Sequence, residues 1–417
     1  MKKAFFMLIA FALAVKPVPL RDTKIEYSPE PRDFHGYTFS LLQQEPDHFF
    51  YDLDPFEENG NLASDASYLT AMKLEDLCNV VVDGQKSMSA YDEYRMSILA
   101  ADPRWDAAFL TISDAINTIG FGFNLNLQWY DELHLDAPWW TGSDAFIIGD
   151  AQFAAVSGAD LTTLGKAQVM TFTDRTLEER LYKMVSNGNW TIDAMQTLLV
   201  EHNASVDGGE KAVSAMLYGT NQSFFPRDDE GYQSLMLTAE LMDTVDQLAE
   251  IFAQSDTEST LFTVKNLEDV GSDGFVPMPK SDKHQQDYLA PVSADARVVV
   301  MPIANLDPTD SAYLLDTFSY LGYDITKPAY MAQVAINASG SRKAKNSQIY
   351  IDMLEYMEGN LAIDPAASMS NLSNIQSQLA SEIASGSNFI ASIMARYEKL
   401  AAKHLEKFYT AYNEIPH

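Results

Sequence analysis

The sequence predicts an α/β protein of two lobes, each a mostly parallel sheet flanked by helices. Three observations support this class. The chain has 417 residues, which exceeds one ordinary domain and suits two lobes of roughly 150–200 residues each. Apolar residues make up 47% of the chain and charged residues 21%, a composition that supports full hydrophobic cores. Segments with strand and helix periodicity also alternate along the sequence.

The alternation of strands and helices is clearest between residues 37 and 111. A β-rich, alternating run over 37–42 predicts the first strand. Apolar positions over 61–79 approximate a helical period, and 80–82 follows as a strand. A second predicted helix over 90–101 leads to a strand over 105–111. Because parallel strands require crossover connections, this order predicts a parallel sheet with helices on its faces.

The remaining elements are predicted from the same periodicities. They are a strand pair over 146–156, helices over 176–185 and from 190 onward, a long helix over 229–254, an extended segment over 275–280, a strand over 298–303, a helix over 310–321, and a C-terminal helix with an apolar stripe from Phe389 through Leu400 to Phe408.

Charge and motif content exclude several functions. The formal net charge of −31 would repel nucleic acid and anionic membranes. The single cysteine, Cys78, rules out an intramolecular disulfide and a cysteine-based zinc cluster, and its apolar setting predicts an inert core thiol. No two histidines are three or four residues apart, and no P-loop or G-x-S-x-G motif occurs. We therefore expect no metal and no cofactor.

The N-terminus has the pattern of an export signal. Lys2 and Lys3 precede an apolar run over 4–15, which is too short to span a bilayer, and Ala12-Leu13-Ala14 resembles a cleavage site. The predicted signal is 1–14, and a proline-rich linker over 15–35 follows it. The alternative is an uncleaved apolar arm.

Six further segments contain recognisable motifs. They are Glu-x-Gly-x-x-x-x-Asp-Ala over 58–66, Pro-Trp-Trp over 138–140, Leu-Tyr-x-x-Val-x-x-Gly-x-Trp-Thr-x-Asp over 181–193, Pro-x-Pro-Lys-x-Asp-x-x-Gln-x-x-Tyr over 277–288, and the stretches 342–354 and 388–392. Their order and spacing resemble the extracellular solute-binding protein family 1, which has the type II periplasmic-binding fold. Two departures stand out: no lipoprotein cysteine follows the signal, and Ala159 interrupts the Gly-Asp pair that the family has at its crossover.

The resemblance implies two lobes joined by a hinge of crossing strands. The implied first lobe is 36–150 plus 299–342, and the second is 151–298 plus 343–417. A protein of this kind is an exported monomer that captures a small molecule between its lobes, closes by hinge bending, and delivers the ligand to the permease of an ABC importer. It has no catalytic residues.

The expected ligand is a sugar or oligosaccharide. The C–H faces of sugars pack on aromatic rings, and their hydroxyls pair with carboxylates and amides. We therefore expect some of the following residues to face the ligand, although core packing is the competing interpretation for each of the five rings: Trp139, Trp140, Asp160, Trp190, Phe224 and Phe225.

Two other functions remain open from the sequence. A secreted glycosidase would use two of the 59 acidic residues as acid and base, but no motif singles out such a pair. A ligand-sensing module would have the same fold and differ only in its partner.

Overall fold

A computed structural model gives the fold of the chain. It describes residues 28–45, 58, 60–253, 259–339, 344–387 and 389–415. The predicted signal over 1–14 and the first part of the predicted linker lie outside these residues, as does Asn59 of the first motif segment.

The described residues form twelve strands and thirteen α-helices. The strands are β1 (Tyr37–Gln44), β2 (Val80–Ser87), β3 (Ala107–Thr111), β4 (Ile147–Ile148), β5 (Ala151–Gln152), β6 (Gln168–Phe172), β7 (Ser205–Asp207), β8 (Thr260–Asn266), β9 (Gly274–Val276), β10 (Ala290–Pro291), β11 (Arg297–Val300) and β12 (Leu361–Ala362). The helices are α1 (Leu62–Cys78), α2 (Ala90–Leu99), α3 (Ile112–Gly120), α4 (Thr162–Gly165), α5 (Glu178–Ser186), α6 (Ile192–His202), α7 (Gly209–Gly219), α8 (Ala239–Ala253), α9 (Pro308–Leu321), α10 (Lys327–Ser339), α11 (Ala344–Glu358), α12 (Ser370–Ala384) and α13 (Ile390–Asn413).

The first lobe is built on a four-stranded sheet in the order β11-β3-β1-β2. Strand β1 pairs in parallel with β2 and β3, and β11 pairs antiparallel with β3. Alternate residues of β3 enter separate cores, with Phe109 on one face and Leu110 on the other. A strand buried on both faces is apolar throughout, so its sequence is a continuous apolar run.

The second lobe is built on the sheet β7-β8-β6-β9. Only β7 and β8 pair in parallel, while β6 pairs antiparallel with both β8 and β9. The prediction of a mostly parallel sheet is therefore confirmed for the first lobe and wrong for the second. Antiparallel strands cannot be distinguished from parallel strands by sequence periodicity, because the side chains alternate between the two faces of the sheet with a period of two in both.

Three segments cross between the lobes. In the first two, Ala155 and Val299 exchange both backbone hydrogen bonds, at 3.0 and 2.8 Å. The third is one continuous helix, in which a π-helical stretch, Gly322–Thr326, joins α9 to α10. The first and third crossings touch backbone to backbone, since a Cβ on Gly322 would lie 2.4 Å from the carbonyl oxygen of Gly158.

Two helices contact elements of both lobes. Helix α10 packs in the same core as Val169 and Phe275 of the second sheet, whereas the predicted boundary at 342 puts it in the first lobe. Helix α13 begins in the second-lobe core and ends on the first, where the Tyr412 hydroxyl donates to the carbonyl oxygens of Ile148 and Ala151, both at 3.0 Å.

Most predicted elements are confirmed within a few residues, and three details are corrected. The helix predicted over 229–254 begins only at Ala239, because Gly231 adopts a φ of +86° that an α-helix does not allow. Phe389 and Leu400 are exposed and do not belong to the buried stripe of α13. The described end of the predicted linker packs on the first lobe, where Phe34 stacks on Tyr313.

The Cys78 thiol lies in the first-lobe core, as predicted, and burial raises its pKa to about 11. Within the described part of the chain, no helix combines the length and apolarity needed to cross a bilayer.

Candidate functional site

The edges of the two sheets meet at a polar region that we call the junction, defined by Asp160, Lys166, Glu268, Asp295 and Arg297. Arg297 begins β11 at the edge of the first sheet where β1 and β3 end. Lys166 precedes β6 and Glu268 follows β8, so both lie at the facing edge of the second sheet. The first two crossing segments, which contain Ala155 and Val299, pass through this region. The junction therefore lies at the hinge between the lobes.

Arg297 and Asp160 form a buried ion pair within the junction. Arg297 Nε lies 2.6 Å from Asp160 Oδ2, and the two side chains are 2% and 1% exposed. Arg297 Nη1 also donates to the carbonyl oxygen of Gln44 at 2.9 Å, and the backbone N–H of Arg297 donates to Thr162 Oγ1 at 2.8 Å. The N–H of Thr162 in turn donates to Asp160 Oδ1 at 2.9 Å. The pair therefore ties the end of β1 to two crossing segments.

Lys166 is held between two carboxylates. Its Nζ lies 2.8 Å from Glu268 Oε1 and 2.6 Å from Asp295 Oδ2. Burial alone would lower the pKa of Lys166, but the hydrogen bonds with Asp295 and Glu268 outweigh it and raise that pKa. Burial raises the pKa of Glu268 despite its bond to Lys166, because the Glu268 side chain is 5% exposed. The group formed by Lys166, Glu268 and Asp295 is more exposed to solvent than the Arg297–Asp160 pair, since the Asp295 side chain is 55% exposed.

Direct contacts between the lobes close the junction. Helix α3 begins at the edge of the first sheet, where Thr111 Oγ1 caps it by accepting from the N–H of Asp114 at 3.1 Å. The next residues reach across, and Ser113 Oγ donates to the carbonyl oxygen of Ser368 at 2.8 Å. Within the first lobe, the N–H of Ile112 donates to the carbonyl oxygen of Ala296, also at 2.8 Å, next to the pairing of β3 with β11.

Trp139 and Trp140 are almost fully buried in the first lobe. Their indole nitrogens both donate to Asp316 Oδ1, each at 2.8 Å. Asp316 Oδ1 also accepts from the N–H of His134 at 3.1 Å, and Oδ2 lies 2.7 Å from His134 Nδ1. Two adjacent indoles pack in one core because a single buried carboxylate satisfies both N–H groups. Ligand contact by either ring stays a prediction.

Trp190, Phe224 and Phe225 lie in the second-lobe core. Trp190 Nε1 donates to the carbonyl oxygen of Pro277 at 2.9 Å, and the Trp190 N–H donates to the Tyr288 hydroxyl at 3.1 Å. The motif segments 181–193 and 277–288 therefore contact each other, which gives Trp190 a packing role. All three rings are 2% exposed or less, and ligand contact by them remains untested.

Of the six predicted site residues, Asp160 and Trp139 line a narrow cavity between the lobes, together with Tyr323, Lys327 and Glu358. Lys327 Nζ lies 3.3 Å from the centre of the Tyr323 ring and 3.5 Å from Glu358. Burial lowers the pKa of Lys327, and Glu358 partly offsets that effect.

A larger surface cavity of about 340 Å³ lies at the opposite edge of the first sheet, where β1 begins, and its lining includes Arg32, Phe34 and Tyr37. Asp307 and Asp310, at the start of α9, also line it.

Sequence reasoning missed the cations of the junction and the acceptor of the two tryptophans. Arg297 was visible as a lone charge opening the apolar run Val298-Val299-Val300, and Asp316 as a lone acid inside an apolar stretch of α9. Charges in such positions are buried and need partners. The sequence does not indicate which partners, because Asp160 and Arg297 lie on different crossing segments.

Comparisons with known proteins identify the fold. No protein-family model matches the chain, and no curated protein matches it either. Among solved structures, the chain is similar to the sugar-binding protein MalE of Xanthomonas citri, with a TM-score of 0.58, 12% identity, and 90% of this chain and 99% of that one covered.

Two other solved structures are similar at comparable levels. One is the galacto-N-biose/lacto-N-biose I-binding protein of the ABC transporter of Bifidobacterium longum in complex with lacto-N-biose, with a TM-score of 0.55, 12% identity and coverage of 90% and 98%. The other is an extracellular solute-binding protein family 1 member from Alicyclobacillus acidocaldarius, with a TM-score of 0.52, 7% identity and coverage of 91% and 100%. These likenesses establish the two-lobed periplasmic-binding fold for this chain.

Proposed function

We propose that this protein is an extracytoplasmic solute-binding protein of an ABC importer, and that it captures a sugar or oligosaccharide between its lobes. The observation that carries the proposal is the junction, where charged side chains lie between two sheet edges at the point where three segments cross. Such a site can be opened and closed by a rotation about the crossings. Closure around a ligand then gives the permease a form to recognise.

The similar solved structures support a carbohydrate ligand. They are binding proteins and not enzymes, and the Bifidobacterium longum protein was solved with a disaccharide, lacto-N-biose. Of the six residues singled out from the sequence, Asp160 has the best place in the proposed site, because it lies in the junction and is already held by Arg297.

A thermal-shift screen against neutral mono- and oligosaccharides tests the proposal. A sugar that binds only the folded chain raises the melting temperature by mass action. A micromolar site has a binding free energy of about 8 kcal/mol, and we expect the shift to saturate with sugar concentration.

The screen must distinguish binding from the general stabilisation that sugars give most proteins at high concentration, because that effect does not saturate. A saturable shift below millimolar concentration supports capture. If no sugar gives one and the purified chain instead cleaves a glycan, the proposal is wrong. For the transport step, loss of the gene should abolish uptake of the same sugar, and the full-length gene should restore it.

A further inference from the structure

The junction contains no unpaired cation. Of its two basic side chains, Arg297 is paired with Asp160 at 2.6 Å, and Lys166 is paired with Glu268 and Asp295 at 2.8 and 2.6 Å. The junction therefore holds two basic groups and three carboxylates. The whole chain adds a field of the same sign, because its formal net charge is −31.

A buried ion pair discriminates among ligands by charge. It presents a donor and an acceptor side by side, so a hydroxyl group that both accepts and donates can bridge it. A ligand carboxylate that approached Arg297 would also face Asp160, and an ammonium group that approached Asp160 would face Arg297. Either ligand would bring a desolvated charge beside one of its own sign, which is costly and therefore selective.

We propose that the junction selects uncharged, hydroxyl-bearing ligands and rejects carbohydrates that carry carboxylates. This inference rests on the proposed function and narrows it, since sugar capture alone does not specify the charge of the sugar. The selecting group is the Arg297–Asp160 pair, assisted by Lys166 and its two carboxylates. The net charge of the chain reinforces the rejection of anions at long range.

Titration calorimetry with matched sugars tests the inference. The probes are glucose-, galactose-, mannose- and xylose-based di- and trisaccharides, each hexose sugar paired with a counterpart in which one C6 hydroxymethyl is oxidised to a carboxylate. At physiological salt we expect a neutral sugar to bind, and its uronate counterpart to bind at least tenfold more weakly. A uronate that binds as tightly as its neutral partner overturns the selectivity and leaves capture standing. If neither the neutral sugars nor the uronates bind, the proposed capture function itself is wrong.

Charge variants assign the selectivity to the pair. Asp160→Asn leaves the Arg297 charge without its carboxylate, and we expect the ratio of neutral to uronate affinity to fall at least tenfold. Arg297→Gln should change the ratio in the opposite direction. The double variant Asp160→Asn/Arg297→Gln carries no charge at this position and should restore preference for the neutral sugar. If all three variants change both affinities equally, the pair does not select and the inference is wrong.

Asp295→Asn provides a second test in case the variants at the buried pair do not fold, because the Asp295 side chain is 55% exposed and its substitution should not disturb the core. It removes one carboxylate from Lys166, and we expect a change of the same sign as in Asp160→Asn, by a smaller factor. Circular dichroism of each variant establishes that it is folded. An unchanged ratio in a folded Asp295→Asn variant contradicts the role given to the Lys166 group.

Discussion

Asp106 carries much of the polar bonding at the start of the first sheet. Its side chain accepts from the Tyr37 hydroxyl at 2.6 Å, from Ser311 Oγ at 2.6 Å and from the N–H of Ser40 at 2.8 Å. Burial raises the pKa of Asp106, and these hydrogen bonds offset only part of that effect. The folded protein therefore binds the Asp106 proton more tightly than the unfolded chain does.

The sign of the resulting pH dependence follows from linkage. Because the folded pKa of Asp106 lies above its ordinary value of 3.8, the folded state holds more protons between the two values. The free energy of unfolding should fall as pH rises from 3.8 through the raised pKa, and Asp106→Asn should remove that part of the slope. Urea denaturation at stepped pH measures it, with the exposed Asp310→Asn as control. Parallel pH profiles for the wild type and Asp106→Asn would contradict the prediction.

Single residues are where sequence reasoning was least complete. Asp160 was found through its place near the crossover, but Arg297 was not, because pairing between distant segments leaves no local pattern. The aromatic residues were chosen for their chemistry, and their burial depends on acceptors such as Asp316 and the Pro277 carbonyl. An indole ring on a ligand-facing surface and one in a core have the same sequence signature.

Among the elements, the helix formed by α9, the π-helical stretch and α10 packs backbone to backbone against the first crossing segment. A Cβ on Gly322 would lie 2.4 Å from the carbonyl oxygen of Gly158 and 2.6 Å from the Cα of Ala159. Ser157 Oγ and Ser319 Oγ are hydrogen-bonded at 2.7 Å beside this contact. Because the obstructing atoms belong to the backbone, no side chain can move aside for a larger residue.

Gly322→Ala should therefore destabilise the protein by about 1–3 kcal/mol, the usual cost of overpacking. Chemical denaturation followed by tryptophan fluorescence measures the change. Gly359→Ala is the matched control, since its added Cβ would have its nearest neighbour at 3.6 Å, and its effect should be about 0.5 kcal/mol or less. Equal effects of the two substitutions would show that the backbone contact is not limiting.

Element prediction succeeded where one face of a segment decides its structure. Helix α1 begins where Asn61 caps it by accepting from the N–H groups of Ala63 and Ser64, and this start was visible in the apolar period. The helix predicted over 229–254 was too long, because the chain turns at Gly231 with a positive φ, where a Cβ would lie 2.2 Å from the carbonyl oxygen of Ile147 in the other lobe. A contact between lobes has no counterpart in local periodicity.

At the scale of the whole molecule, the lobes are held together in three ways. They share the crossing segments, the C-terminal helix α13, and direct contacts such as that of Ser113 with Ser368. Arg227 adds a further contact, donating to the carbonyl oxygens of Asp144 and Ile147 at 3.2 and 2.6 Å. Under the proposed function, a ligand enters the junction when these contacts separate.

Locking the lobes should therefore block capture. Ser113→Cys/Ser368→Cys, joined by a short bis-maleimide cross-linker, should lower the affinity for a captured sugar at least tenfold, because the ligand cannot enter. The native Cys78 is buried and should not react. The uncross-linked double variant and the single variant Ser113→Cys are the controls, and calorimetry is the measurement. Unchanged affinity after complete cross-linking would mean that ligand entry does not require separation at this contact.

The two-lobed architecture was predictable because motif order along the chain reflects it. The packing of α10 against the second sheet and the antiparallel pairing of that sheet were not, since both depend on how distant segments pack.

The antiparallel pairing of β11 with β3 has a consequence for how the chain folds. The whole second sheet lies between these two strands in the sequence, so the first lobe cannot complete its sheet until that intervening stretch has been made. Contacts of such long range are slow to form, because the entropy of closing the loop must be overcome first. The N-terminal lobe therefore cannot finish folding in the order of synthesis, and the second lobe has the opportunity to form first.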